Sequence, residues 1–404
     1  MRIAYLTARY PFPPIGGDRM RVYYTLRHLL REHEVTLYTF SSRVQESPGR
    51  TPDFKNLQEK VFPMKKASYA WNAVRGFFSD LPLQVELYNC RSLRQTLDAD
   101  IRRGAFDLLF VHLIRMAEYA RPYRQIPRIL DMADSIFLHY ARMDKVRWNR
   151  RSLGAWLDRE RVSRYEAEAP KWFDNVLLHT QEDIEWVRKQ SGATNLTLSP
   201  MGVDLDEFAF RDTTYVPYRI IYCGKLDYLP NTDAAVYFAK CIFPHVRRQV
   251  PDAQFIMAGF NPPRCLRALA QTPGIEVQAN LPDVRPAVSS AAVSVAPIRF
   301  GAGIQNKILQ SLALGVPVVA SPLAAGPFAQ NGTSPVLVAA TPEEFAGLVV
   351  RVLQDPGYRM HLARKGRELI ETTYGWDRVF GSLDRIVEGH MKAAAKQARG
   401  RLFV

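Results

Sequence analysis

Two tandem α/β domains, each a parallel sheet wound on both faces by helices, are the fold class this chain predicts. Three observations predict it. Short apolar runs alternate with longer amphipathic ones along the whole sequence. The alternation restarts near residue 218, after a stretch over 200–217 rich in Asp, Thr and Pro. The 404 residues also exceed what one compact core usually holds.

The elements follow in order. Arg2–Thr7 reads as the first strand, 11–17 as a loop, 19–32 as a helix and 34–40 as the second strand. Further strands are expected at 108–112, 128–131 and 175–179. The interval 60–100 is less regular, and 140–170 is long and helical. The second series places strands at 219–223, 254–259, 275–278, 292–296 and 316–320, a helix over 231–248, and helical chain over 356–398.

One stretch stands apart. The loop Gly301-Ala302-Gly303 opens a helix carrying Ile304, Leu309, Leu312 and Ala313 at apolar spacing. Gly315 stops that helix and Pro317 leads into a strand. A helix N-terminus uncovered by side chains presents free N–H groups and the positive end of the dipole, and Lys307 falls in its first turn. An anion site and an ordinary glycine turn both fit this pattern.

Composition bounds the function. Apolar residues make up 47% and charged residues 23%, as in ordinary globular proteins. No apolar run reaches the length of a membrane span. Met1–Leu6 runs directly into a strand pattern without the features of a signal peptide. Four dispersed cysteines, Cys90, Cys223, Cys241 and Cys265, form no metal-ligand pattern and read as reduced, mostly buried thiols. A cytoplasmic protein without metal or cofactor is therefore expected. Of the net charge of +14, +9 lies in residues 1–200 and +5 beyond 350. Such a surface attracts a polyanion, either nucleic acid or an anionic leaflet, unless it is simply a solvated face.

Several residues can carry chemistry. Gly16-Gly17 follows the first strand, where glycines let a phosphate or sugar approach the backbone or simply form a tight turn. It lacks the GxGxxG fingerprint of a dinucleotide site. Gly224-Lys225 ends the first strand of the second domain, where a cation meets a diphosphate. His112 closes a strand and suits a base or donor as well as a buried structural histidine. Asp131 and Asp134 suit an acceptor hydroxyl, or a helix cap at Ser135. Lys65, Lys66 and Arg75 lie among Tyr69, Trp71, Phe77 and Phe78. Arg142, Lys145, Arg147, Arg150 and Arg151 lie among Trp148, Leu153, Trp156 and Leu157. Both stretches suit a membrane interface, or a core-facing helix with a basic outer face.

Together these pieces resemble the retaining glycosyltransferases of the GT-B fold, family four (glycosyltransferase group 1). The resemblance rests on Ile3-Ala4-Tyr5-Leu6 with Gly16-Gly17, on Pro200-Met201-Gly202-Val203-Asp204 followed by Phe208, on Gly224-Lys225-Leu226, and on Gln310-Ser311-Leu312-Ala313-Leu314-Gly315-Val316-Pro317-Val318-Val319. Tyr228-x-Pro230-Asn231-x-Asp233-Ala234 and Gly303-Ile304-Gln305-Asn306-Lys307 resemble, more narrowly, a bacterial subgroup of sugar transferases associated with exopolysaccharide and exosortase-type loci.

The resemblance implies two Rossmann-like domains facing across a cleft. The N-terminal domain, 1–205, would hold the acceptor and the C-terminal domain, 206–380, the nucleotide-sugar. The helix and basic tail of 381–404 would cross back to the first domain. Lys225 and Lys307 would neutralise the diphosphate, assisted by Gly303 and Ile304, without a metal. Gly16, Gly17 and Gly224 would line the donor, and Gln310 the nucleoside. Asp107 with His112 fits the family's Asp-x-x-x-x-His strand, the histidine touching the transferred sugar. The acceptor, lipid-linked or small, would be met at the cytoplasmic membrane face, with nucleic acid an improbable partner. Two departures stand out: Ala302 and Gln310 occupy the positions of the family's Glu-x7-Glu pair, and Met201 replaces an asparagine. The alternatives are a binding protein without transfer activity and a DNA-modifying glucosyltransferase.

Overall fold

The structure, a computed structural model, describes residues 1–41, 52–64, 66–143, 150–210, 215–301, 303–328 and 334–401. Lys65, Lys145, Arg147, Trp148 and Ala302 lie outside the described residues, as do the side chains of Arg150, Arg151, Leu153, Trp156 and Leu157. The chain divides into two units, Met1–Pro200 with Val379–Val404, and Met201–Arg378.

The first unit is built on a seven-stranded parallel sheet. Its strands are β1 (Arg2–Thr7), β2 (Glu34–Ser41), β3 (Gln58–Pro63), β4 (Leu108–His112), β5 (Arg128–Ala133), β6 (Asn175–Leu178) and β7 (Leu196–Leu198), in the order β3-β2-β1-β4-β5-β6-β7. The central strands β1, β4 and β5 are near-continuous apolar runs, because helices cover both of their faces. Register brings Thr7, His112 and Asp131 side by side at the C-terminal strand ends. Helix α1 (Gly17–Leu29) follows β1, entered through Gly16 at φ 94°, a conformation that favours glycine. Helix α2 (Lys66–Phe77) and helix α3 (Ile136–Met143) also belong to this unit. The closing helix, Trp376–Arg401, packs on it over 380–390. His28 stacks on Phe380 and bonds Asp384 at 2.6 Å, and His390 meets Asn175 at 2.9 Å.

The second unit holds a six-stranded parallel sheet. Its strands are β8 (Arg219–Lys225), β9 (Gln254–Phe260), β10 (Ile275–Ala279), β11 (Val293–Ala296), β12 (Val318–Ala320) and β13 (Val336–Val338), in the order β10-β9-β8-β11-β12-β13. The helix expected over 231–248 is interrupted. Leu229–Tyr237 (α4) passes through a π segment, Phe238–Ile242, before Phe243–Gln249. Pro244 explains the break, since it has no N–H to donate and its ring clashes with a helical carbonyl one turn back. Helix α5 (Asn306–Ala313) precedes β12.

The 201–208 segment has a structural role within the second unit. A Cβ on Gly202 would fall 2.5 Å from the Trp376 ring, so only glycine lets that ring pack there. Val203 N donates to the Tyr374 carbonyl at 2.9 Å, and Asp204 caps the following turn through Asp206 N and Glu207 N.

Candidate active site

In the second unit, β8 and β9 run so close at their ends that a Cβ on Gly259 would lie 1.8 Å from the Gly224 carbonyl oxygen. Gly224 itself, at φ 150°, has Asn231 and the Lys307 side chain within 3.2 and 3.4 Å of where its own Cβ would stand. Gly224 and Lys307, far apart in sequence, thus share one corner. Asn231 organises it. Its Oδ1 accepts from Lys307 Nζ at 2.9 Å and from the Tyr222 hydroxyl at 3.0 Å, and its Nδ2 donates to the Lys225 carbonyl at 2.9 Å.

Helix α5 begins at Gln305 with no side chain capping its amides. The Gln305 side chain instead accepts from Lys307 Nζ at 3.1 Å. The N-terminus therefore keeps free donors, with a buried ammonium beside them. Burial pushes Lys307 down to about 8, with neighbouring Cys223 acting in the opposite direction. Gly303, at φ 76°, and buried Ile304 form the entry to this helix, and half-buried Gln310 lies one turn inside it. The preceding loop is tied down by Arg299, which pairs with Asp233 of α4 at 2.8 Å and lies over the Tyr237 ring. Both parts of the Tyr228-x-Pro230-Asn231-x-Asp233 pattern thus hold the same corner. Lys225 differs from Lys307. It stands more than half exposed at the end of β8, 3.7 Å from Asp227.

In the first unit, Asp131 is wholly enclosed. Arg21 Nε donates to it at 2.9 Å, and His112 Nδ1 lies 3.3 Å away. Desolvation opposes the Asp131 charge, but Arg21 and then His112 outweigh it and hold the carboxyl far below the usual range. Arg21 also donates to the Ser199 hydroxyl at 2.7 Å and the Pro200 carbonyl at 2.9 Å. His112 Nε2 is buried with no hydrogen-bond partner among the described residues. Next to the glycine loop, Asp18 pairs with Arg9 at 3.2 Å. Desolvation works against that carboxylate too, but Arg115 and Arg9, with His112 and His179, keep it below the ordinary range.

Two sequence expectations change here, the burial of the cysteines and the cap at Ser135. Of the four cysteines only Cys223 is buried, and Cys241 and Cys265 are exposed. Of the two aspartates expected at an acceptor, Asp131 gives its Oδ2 to Arg21 and His112, while its Oδ1 is buried with no hydrogen-bond partner among the described residues. Asp134, 3.4 Å from His179 Nδ1, keeps solvent contact. Neither caps the helix at Ser135. Glu166 accepts from Ser135 Oγ and Ile136 N, and Asp183 from Ser135 N, with burial pushing Glu166 up to about 7. Asp107 immediately precedes β4 and His112 closes it, at the two ends that a five-residue spacing along a strand sets. Asp107 clasps Arg2, at 2.7 Å.

The site residues that sequence reasoning missed are Asn231, Arg21, Asp18, Arg9, Arg115 and His179. Asn231 lay in a recognised pattern without a role, and Arg21 carried no signal, since its partners are 110 and 178 residues away. Among the described residues no cluster of three or more His, Cys, Asp or Glu could hold a metal ion.

Comparison with known proteins finds a family likeness over part of the chain. Residues 217–355 match the family described as Glycosyl transferases group 1. No curated protein matches the chain. Among solved structures, sucrose-phosphate synthase from Thermosynechococcus elongatus superposes with a TM-score of 0.75 at 15% identity, covering 97% of this chain and 99% of that one. The fold is GT-B. HepE of Anabaena, solved with UDP and glucose, gives 0.68 at 10% identity, covering 96% and 100%. WaaG, a glycosyltransferase involved in lipopolysaccharide biosynthesis, gives 0.64 at 15%, covering 95% and 99%. The GT-B framework accounts for the two parallel sheets and leaves the chemistry to the residues above.

Proposed function

We propose that this GT-B protein is a retaining glycosyltransferase that moves a sugar from a nucleotide diphosphate donor to a lipid-linked or small acceptor. The acceptor is presented at the cytoplasmic membrane face, in polysaccharide or glycoconjugate synthesis. The observation that carries this reading is Lys307, a buried ammonium at an uncapped helix N-terminus beside Gly224. A cation and oriented amides in a dry corner suit a diphosphate, and they act most strongly as charge develops on the leaving group. The family match over 217–355 and the UDP and glucose held by HepE support a nucleotide-sugar.

In this reading Lys307 and Lys225 take the diphosphate, with Gly224 and the amides of Gly303 and Ile304 close to its oxygens. Gln310 accepts from the nucleoside, and Gly16-Gly17 with His112 meet the sugar. The bond from the anomeric carbon to the diphosphate oxygen breaks. The acceptor oxygen bonds to the same face of that carbon, and its proton passes to the departing phosphate. Cations and amides supply the charge neutralisation without a metal.

A thermal-shift screen of UDP- and GDP-sugars tests the donor. A ligand at a hundredfold excess over its Kd stabilises the fold by about 2.7 kcal/mol. No shift with any nucleotide-sugar sinks the proposal.

Two further results are expected. A lysine near 8 is charged below that pH and neutral above it. The free-enzyme profile, kcat/KM against pH, therefore falls as pH rises through about 8. A flat profile to well above that value removes Lys307 as the donor cation. Gln310→Glu offers ribose a charged acceptor, so nucleotide affinity measured by calorimetry rises or holds. Lost binding in a folded variant shows that the amide reads another group.

A further inference from the structure

Helix α2 of the first unit is amphipathic the wrong way round for a protein surface. Asn72 is buried, donating to the Leu87 and Asn89 carbonyls, and Gly76 is buried against Leu83. The large apolar side chains point outward instead: Trp71 and Phe77 are 66% exposed, Val74 54% and Phe78 90%. At about 100° per residue Trp71, Val74 and Phe77 share one helix face with Ala67 and Ala70, Phe78 follows in the turn directly after the helix, and Lys66 and Arg75 fall on the two margins of that face. The inner face is firmly fastened, since Arg161 donates to the Gly76 and Phe77 carbonyls and the Asn72 bonds are satisfied. The apolar face is therefore held outward by design of the fold.

We propose that α2 lies in the interface of an anionic lipid bilayer, Trp71, Val74, Phe77 and Phe78 entering the headgroup and acyl boundary while Lys66 and Arg75 meet anionic headgroups. Charge selects this occupant. No acidic residue occurs between Glu59 and Asp80, the flanking side chains are cationic, and the chain carries +14 overall. Tryptophan and phenylalanine between marginal cations are the composition that an interfacial helix needs. Arg75 lies 3.7 Å from Glu86 yet remains more than half exposed, so its guanidinium is available to a headgroup. The helix also touches the surroundings of the candidate site in the first unit. Tyr69 on α2 packs edge-on against Tyr88, whose ring lies under Arg115, one of the cations around Asp18. The inference deepens the proposed membrane-presented acceptor but does not depend on sugar transfer.

The test is co-sedimentation of the full chain with vesicles of phosphatidylcholine alone, or with about one third phosphatidylglycerol. Wild type is expected to sediment with the anionic vesicles at low salt and to be released by salt. The triple variant Trp71→Ser, Phe77→Ser, Phe78→Ser should bind at least about tenfold more weakly with its thermal midpoint unchanged. Phe78→Ser alone, at the most exposed position, should show a smaller loss in the same direction. Lys66→Gln with Arg75→Gln should lose the preference for anionic lipid. Wild type that ignores anionic vesicles, or a triple variant that binds as well as wild type, overturns the proposal. A dimer in sedimentation velocity that only the triple variant abolishes, without vesicle binding, gives the face to a second copy and overturns it too. Thermal shift by a nucleotide-sugar should be the same in wild type and triple variant, so failure here is separable from failure of the donor assignment.

Discussion

Lys307→Ala is expected to lower kcat/KM for the nucleotide-sugar by about a hundredfold or more, the loss typical of removing one preorganised donor from developing charge. Lys307 is the only one of the two candidate lysines that is buried, so its charge is little screened by water. The variant should fold, because Asn231 Oδ1 keeps its bond from the Tyr222 hydroxyl. Lys225→Ala, at an exposed position, should cost roughly tenfold. The fall of kcat/KM above pH 8 should disappear in Lys307→Ala and persist in Lys225→Ala. Steady-state kinetics of both single variants decide the matter, and unchanged values in both would remove the diphosphate assignment.

The second large effect is on stability. Arg21→Ala leaves Asp131 as a buried carboxylate whose remaining neighbours, His112 and His179, are weaker partners than the guanidinium it loses. Breaking a buried ion pair from one side costs about 3–5 kcal/mol. For a unit of this size that is on the order of 10 °C in Tm. The arginine also loses its bonds to Ser199 and Pro200, which fasten the end of the first unit to α1. Asp131→Asn should cost less, because Arg21 keeps those two partners and an amide oxygen at 131 can still accept from its Nε. Calorimetry of the two variants would refute this account if Asp131→Asn proved the more damaging.

The central strands were legible because burial on both faces writes itself as an apolar run. Leu108–His112 and Asn175–Leu178 show this, as does β8. The strands that went unread, β3, β7 and β13, are all at sheet edges. β3, Gln-Glu-Lys-Val-Phe-Pro, carries charge where a central strand would carry valine, as an unpaired edge requires. Likewise α2 could be read either as a core helix or as an interfacial one. Only its packing, with Asn72 inward and Phe78 outward, separates the two.

At the site the division follows from distance along the chain. Position within a local element is a property of sequence, so the glycine turn before α5, the first-turn Lys307 and the strand-end His112 could be placed without coordinates. Partnership is not. That Asn231 holds Lys307 to the Gly224 corner, that Arg21 takes up Asp131, and that Asp107 serves Arg2 at the far end of the sheet from His112 all depend on contacts across tens to hundreds of residues. The physical reason is that strand order and register, not spacing, decide which side chains meet. In a parallel sheet each neighbour is reached only through a long crossover.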